Sequence, residues 1–191
     1  MQICVYCGSS GQVRPSYFEA ARRLGEIFAQ ESVSLVYGAG HMGLMGEIAN
    51  SVLENNGEVT GVIPSFMVDE GWSHNALSNL IITENMHERK QTMARLADAA
   101  IAMPGGCGTL EELLEIITWK QLGLFTKPIV ILNIDGYFNK LLEILELAVT
   151  EKFMRVEHAR MWEVVEKPED VLPAIRNAAE WDVNCRKFAA I

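Results

Sequence analysis

The sequence predicts a doubly wound α/β fold, a parallel sheet with helices packed on both faces, and three observations carry that prediction. Short apolar, β-branched runs alternate along the chain with stretches whose apolar residues recur at helical spacing. The runs are continuously apolar, as suits parallel strands covered on both sides. Three of them end in glycine-rich turns, CGSSG, YGAGHMGLMG and PGGCGT, and in such folds ligands collect at the carboxyl ends of the strands.

The elements follow in order. Gln2 to Tyr6 (QICVY) is the first strand, and Tyr17, Ala21, Leu24 and Phe28 mark one face of the first helix. Ser34 to Tyr37 (SLVY) is the second strand, followed by a helix through Met45, Ile48 and Val52. Val59 to Ile63 and Leu80 to Thr83 give two more strands, and a helix is expected just after the segment Met86-His-Glu-Arg-Lys90. Ala99 to Met103 leads into the PGGCGT turn and a helix through Leu110, Leu113, Leu114 and Ile117. Ile129 to Ile134 is the sixth strand. Glu169 to Trp181 reads as a closing helix behind Pro168, and the last forty residues carry no interpretable motif.

A chain of 191 residues that is 49% apolar and 21% charged suits one well-buried core, so residues 1–191 are expected to form a single domain. The chain opens on a strand-like run, and no apolar stretch approaches the roughly 18 residues of a membrane span, so a cytoplasmic protein without membrane contact is expected. The cysteines at 4, 7, 107 and 185 then read as free thiols. Cys4 and Cys7 have C-x-x-C spacing but no second pair or His pair at zinc-like distance, so neither metal nor redox use is expected. A net charge of −9 without a basic stripe argues against nucleic acid as a partner. A small anionic ligand requires local positive charge.

Gly38, Gly40 and Gly43 match G-x-G-x-x-G between a strand and a helix. A dinucleotide site is disfavoured, because the next strand ends at Ile63-Pro64-Ser65 where an acidic ribose ligand belongs, and the match is not on the first βα turn. Two readings stay open for this turn, glycines for tight turning and close packing, or a phosphate or ribose contact through Gly40 and Gly43. Ser9 and Ser10 likewise suit either a nucleotide contact or a helix cap. In MPGGCGTLEE, Gly105, Gly106 and Gly108 form a loop able to close backbone N–H groups on an anion at the start of a helix. Glu111 and Glu112 would repel that anion, which needs explaining. Thr109-Leu-Glu-Glu112 is a T-x-x-E capping box, in which Glu112 would reach back to the backbone of Thr109; a catalytic carboxylate is the other reading. Glu111 and Glu115 are expected at solvent. Arg89 and Lys90 supply the local positive charge and favour the catalytic reading, while His87 is taken as structural.

The run from Met86 to Gly123, MHERKQTMARLADAAIAMPGGCGTLEELLEIITWKQLG, resembles the signature region of the LOG (Lonely Guy) family, cytokinin riboside 5′-monophosphate phosphoribohydrolases once labelled lysine decarboxylases. Its paired pattern, M-H-x-R-K with P-G-G-x-G-T-x-x-E, is intact, and similar order extends from Ile3 to about Phe153. The resemblance implies a Rossmann-like, three-layer α/β/α domain, a homodimer with sites near its interface, and hydrolysis of a purine nucleoside 5′-monophosphate to base and ribose 5-phosphate without a cofactor or metal. It carries over Arg89 and Glu112 as the catalytic pair. Lys90, Gly105, Gly106, Cys107, Gly108, Thr109 and Thr118 are implied as substrate contacts, beside Ser9, Gly40 and Gly43. Two departures stand out. Ala39 replaces the middle glycine of a YGGG turn, excluding the positive φ that glycine adopts freely, and Glu70 is offset by one residue from the ligand-contacting Glu expected relative to His74. Cys107 stands where an aromatic or aliphatic residue is usual. The implied chemistry answers the repulsion problem: a carboxylate beside the sugar, rather than the phosphate, stabilises an oxocarbenium-like transition state.

Overall fold

The computed structural model describes residues 1–182. Its strands are β1 (Gln2–Tyr6), β2 (Ser34–Tyr37), β3 (Val59–Pro64), β4 (Asn79–Thr83), β5 (Ala99–Ala102), β6 (Ile129–Leu132) and β7 (Glu163–Val165). Its helices are α1 (Pro15–Gln30), α2 (Gly43–Glu54), α3 (Ser65–Asp69), α4 (Met86–Leu96), α5 (Cys107–Gln121), α6 (Asn139–Thr150) and α7 (Val171–Asn177). The strands form one parallel sheet in the order β4-β3-β2-β1-β5-β6-β7, the doubly wound arrangement expected from the sequence.

Two-residue periodicity divides the core between the faces. Ile3, Val5, Leu35, Tyr37 and Ile101 meet α1, α2 and α7 on one side, through Leu24, Phe28, Ile48, Val52 and Leu172. Cys4, Tyr6, Val36, Ala100 and Ala102 meet α4, α5 and α6 on the other, through Met93, Leu113, Ile117 and Leu145. Both faces of the central strands are therefore covered, which is why these read as unbroken apolar runs, whereas Leu80 and Ile82 of the edge strand β4 are exposed.

The differences from expectation lie at ends and edges. β6 stops at Leu132 because Asn133 turns the chain: its side-chain oxygen accepts from the Phe138 N–H at 2.7 Å, and Asp135 takes a positive φ of 53°. The short edge strand β7, EVV, has too little length to be recognised from pattern. The closing helix begins with a 3-10 turn at Pro168–Asp170 and ends at Asn177 rather than Trp181. α4 starts at Met86, so His87, Arg89 and Lys90 lie in its first two turns rather than before it. Asn85 fixes that start. Its side chain accepts from the Glu88 N–H at 3.0 Å, while the Glu88 carboxylate accepts from the Glu84 N–H at 2.8 Å. Ala39 adopts φ 59° despite its methyl group, which corrects the expected exclusion. Cys4 and Cys7 are buried free thiols and Cys107 is exposed, whereas Cys185 lies outside the described residues.

Candidate active site

β1 lies between β2 and β5, so the connections leaving β1 and β5 diverge and open a crevice at the carboxyl edge of the sheet. A cavity of about 570 Å³ lies there, in the range of small-molecule sites. Its wall includes Gly8 and Ser9 after β1, Gly40 and His41 after β2, Met86 and Arg89 of α4, and Gly106 to Thr109 with Glu112 of α5.

The glycine turn after β5 is built by close backbone approach. The Gly8 N–H donates to the Pro104 carbonyl at 3.0 Å, and a Cβ on Gly105 would lie 2.1 Å from Thr109 Oγ1 and 2.8 Å from the Gly8 nitrogen. Only glycine fits at 105. Tyr137 braces the turn from outside by donating its hydroxyl to the Gly105 carbonyl. Gly106 is the N-cap of α5, and a Cβ on Gly106 or Gly108 would meet nothing within 4 Å. The residues of this first turn, whose N–H groups have no acceptor within the helix, line the cavity, an arrangement suited to a phosphate.

Thr109 is inside the first turn of α5, not its cap, and no side-chain cap bond forms there. The T-x-x-E capping box is therefore absent, because the N-cap is Gly106, three residues before the Thr109 that the motif requires. Glu112 instead meets Arg89, with Arg89 Nη1 3.9 Å from Glu112 Oε1. Arg89 is buried, donating from Nε to the Val62 carbonyl and from Nη2 to the Gly38 carbonyl, both at 3.0 Å. Burial raises the Glu112 carboxyl from its ordinary 4.5 to about 7, against the opposing pull of the Arg89 charge.

Glu111 and Glu115 do not simply face solvent. Both accept from Lys90 Nζ, at 2.5 and 3.1 Å, so the Lys90 amine is held against α5. Burial lowers the affinity of that amine for its proton, yet the two carboxylates outweigh it and the net shift is upward.

Of the expected site residues, Arg89, Glu112, Ser9, Gly40, Gly106, Cys107, Gly108 and Thr109 come together on the cavity wall. Five others do not reach it. Lys90 is occupied by the α5 carboxylates, and Gly105 packs against Thr109 and Gly8 behind the wall. Gly43, at φ 60°, lies against Ser9, where a Cβ would approach the Ser9 carbonyl carbon to 2.4 Å. Thr118 is exposed and donates back to the Leu114 carbonyl, and Glu70 is exposed at the end of α3. His87 is exposed on α4.

The structure adds wall residues that sequence reasoning missed, notably Tyr6, His41, Met42, Met67, Met86 and Trp72. Tyr6 could have been suspected from its place at the end of the central strand. Trp72 could not, because its position depends on tertiary contacts: Gly40 pairs with Ser73, the His74 N–H donates to the Ala39 carbonyl at 2.8 Å, and His41 Nδ1 lies 3.1 Å from the Trp72 carbonyl.

A parallel sheet with a glycine turn and helix N-terminus at its switch point, and a buried Arg and Glu beside them, defines a Rossmann-like protein equipped for a phosphorylated ligand. A family model described as "Possible lysine decarboxylase" matches residues 45–175. Cytokinin riboside 5′-monophosphate phosphoribohydrolase LOG7 of Arabidopsis thaliana is 48% identical over 153 residues, 80% of this chain and 70% of its own. The corresponding LOG enzyme of Oryza sativa subsp. japonica is 41% identical over 188 residues, 95% of this chain and 78% of its own. The chain belongs to the LOG family, that of the cytokinin riboside 5′-monophosphate phosphoribohydrolases. Among solved structures, the molybdenum cofactor binding protein of Rippkaea orientalis superposes with a TM-score of 0.70 at 23% identity, covering 92% of this chain and 94% of its own. The Moco carrier protein of Chlamydomonas reinhardtii gives 0.70 at 20% identity, covering 93% and 96%. These two share the fold.

Proposed function

We infer that this protein hydrolyses the N-glycosidic bond of a purine nucleoside 5′-monophosphate, AMP or an N6-substituted AMP of the cytokinin type, releasing the free base and ribose 5-phosphate. The observation that carries the reading is the Arg89–Glu112 pair, 3.9 Å apart, in the same cavity as the first turn of α5. The N–H groups of that turn hold the 5′-phosphate and so fix the ribose one turn from the carboxylate. Glu112, ionised, faces C1′ and stabilises the positive charge that builds there as the bond to the purine nitrogen breaks. Water adds to C1′, its proton leaves through the carboxylate, and the electron pair of the broken bond goes to the base. Arg89 offsets the negative charge of substrate or departing base.

The reading takes residues 1–191 as one hydrolase domain working in the cytoplasm, where its thiols stay reduced, with neither cofactor nor metal in the reaction. It includes a homodimer: exposed Leu114 on α5, Leu122 at its C-cap and Leu124 beyond give an apolar surface beside Thr118 for a second copy. The decarboxylase description would call for a lysine amine that forms a Schiff base with pyridoxal phosphate. Among the described residues no lysine is on the cavity wall. Lys120, whose amine burial pulls down to about 8, donates instead to the Lys127 carbonyl.

The test is turnover of AMP and N6-isopentenyl-AMP by wild type and Glu112→Gln, with free base and ribose 5-phosphate followed by chromatography and thermal melts run in parallel. Release of base by wild type, and loss of about 100-fold or more by a normally folded Gln variant, is expected. Stabilisation by both nucleotides without turnover would replace the hydrolase with a nucleotide-binding module.

A further inference from the structure

The glycine that opens the turn after β2 serves the protein's own arginine. A Cβ built on Gly38 would lie 1.7 Å from Arg89 Nη2 and 2.8 Å from Arg89 Cζ. Both distances are far inside van der Waals contact. Gly38 does not have a positive φ, so backbone conformation makes no demand for glycine here. The other near atom is Met45 Cε at 2.9 Å, the far end of a flexible side chain that can move away. Arg89 cannot yield so easily. Its Nη2 donates to the carbonyl of Gly38 itself and its Nε to the Val62 carbonyl, so the guanidinium bridges the carboxyl ends of β2 and β3. Met86 Sδ lies 3.7 Å from Nη1, the nitrogen that also faces Glu112.

We propose that Gly38 is a positioning residue for the reaction: its missing side chain forms the seat that holds the Arg89 guanidinium beside Glu112. A methyl group at 38 would push the guanidinium off the seat and break at least one of two buried hydrogen bonds. The remaining Arg89 nitrogen would then no longer be aimed at the cavity. The inference rests on the hydrolase reading for its effect on rate, but the seat itself is a property of the fold.

The experiment is a double-mutant cycle of Gly38→Ala and Arg89→Ala in the full chain, reading kcat and KM for N6-isopentenyl-AMP and the melting temperature of all four proteins. Gly38→Ala should lower kcat by about 100-fold, the scale of a small misplacement of a catalytic group. Its KM should stay within about threefold of wild type, because the phosphate-binding turn is untouched. In the Arg89→Ala background, where nothing occupies the seat, the same substitution should change kcat by less than about twofold and leave the melting temperature unchanged. A kcat for Gly38→Ala near that of wild type, or an equal loss of rate or of melting temperature in both backgrounds, would overturn the proposal. Should Gly38→Ala fail to fold, a folded double variant supports the seat and an unfolded one refutes it. The thermal cycle reads the seat without turnover, so a wild type that hydrolyses nothing counts against the hydrolase reading alone.

Discussion

Glu112 is a buried carboxyl whose proton leaves only near pH 7, because burial outweighs the nearby guanidinium. The proposed chemistry uses its ionised form, so kcat/KM should rise with pH through an apparent value of about 7, and Glu112→Gln should lack that limb. Stability moves the opposite way. Between its ordinary 4.5 and about 7 the unfolded chain has lost this proton while the folded chain keeps it, so unfolding releases a proton and stability falls as pH rises. The deficit, on the order of 3 kcal/mol, is fully present above the folded value. Melts from pH 5 to 8 should therefore show Glu112→Gln gaining on wild type across that range; a constant difference would contradict the buried carboxyl. Ala39 makes the complementary point about strain. Its left-handed backbone costs about 1–2 kcal/mol and is held in place by the His74 N–H on its carbonyl and by Gly61, where a Cβ would come within 2.7 Å of its methyl.

At the scale of elements, adjacent residues of α4 do different jobs. Arg89 points to the ends of β2 and β3, while Lys90 reaches α5 and holds Glu111 and Glu115, which sit one turn apart. That contact ties the first turns of α4 to the helix carrying Glu112. Lys90→Met keeps much of the side-chain length but leaves two like charges at i, i+4 without their cation. Because Glu111 is half exposed, screening limits the loss, and destabilisation of about 1 kcal/mol is expected at low salt and less in high salt. Urea melts at two ionic strengths check this, and a salt-independent loss would mean that packing of the stem, not charge, is what Lys90 supplies. The element boundaries show how far pattern goes. Strand cores were legible because burial on both faces writes a continuous apolar run. The start of α5 was not, since T-x-x-E looks like a cap until the glycine turn, pinned by Gly8 and Tyr137, sets the helix going at Cys107.

For the whole molecule, the doubly wound topology opens the crevice between the connections leaving β1 and β5, and the cavity lined by the glycine turn, Arg89 and Glu112 lies there. A net charge of −9 means that the anionic substrate is drawn by local groups, not by the overall field. The proposed homodimer belongs at this scale. Leu114, Leu122 and Leu124 are 40%, 40% and 61% exposed, large apolar side chains whose removal from water favours a second copy. Sedimentation should find wild type as a dimer and the double variant Leu114→Lys, Leu122→Lys as a folded monomer. A dimer that survives both substitutions would move the interface elsewhere.

The sequence by itself determined the fold class, the order of the main elements and the glycine turn, because those features are written in local periodicity and in motifs of fixed spacing, while the Arg89–Glu112 pair was implied by its resemblance to the family. It also suggested a ligand role for Gly40 and Gly43 of a G-x-G-x-x-G turn, of which Gly40 is on the cavity wall and Gly43 packs against Ser9. It weighed Glu112 as a helix cap against a catalytic carboxylate and favoured the second. Only the folded chain places these side chains, since each depends on groups far apart in sequence: Arg89 donates to Val62 and Gly38, and α4 and α5 bring it to Glu112, which caps nothing. Spacing records neighbours along the chain, whereas a side chain's environment, and with it its charge and its work, is set by neighbours across it.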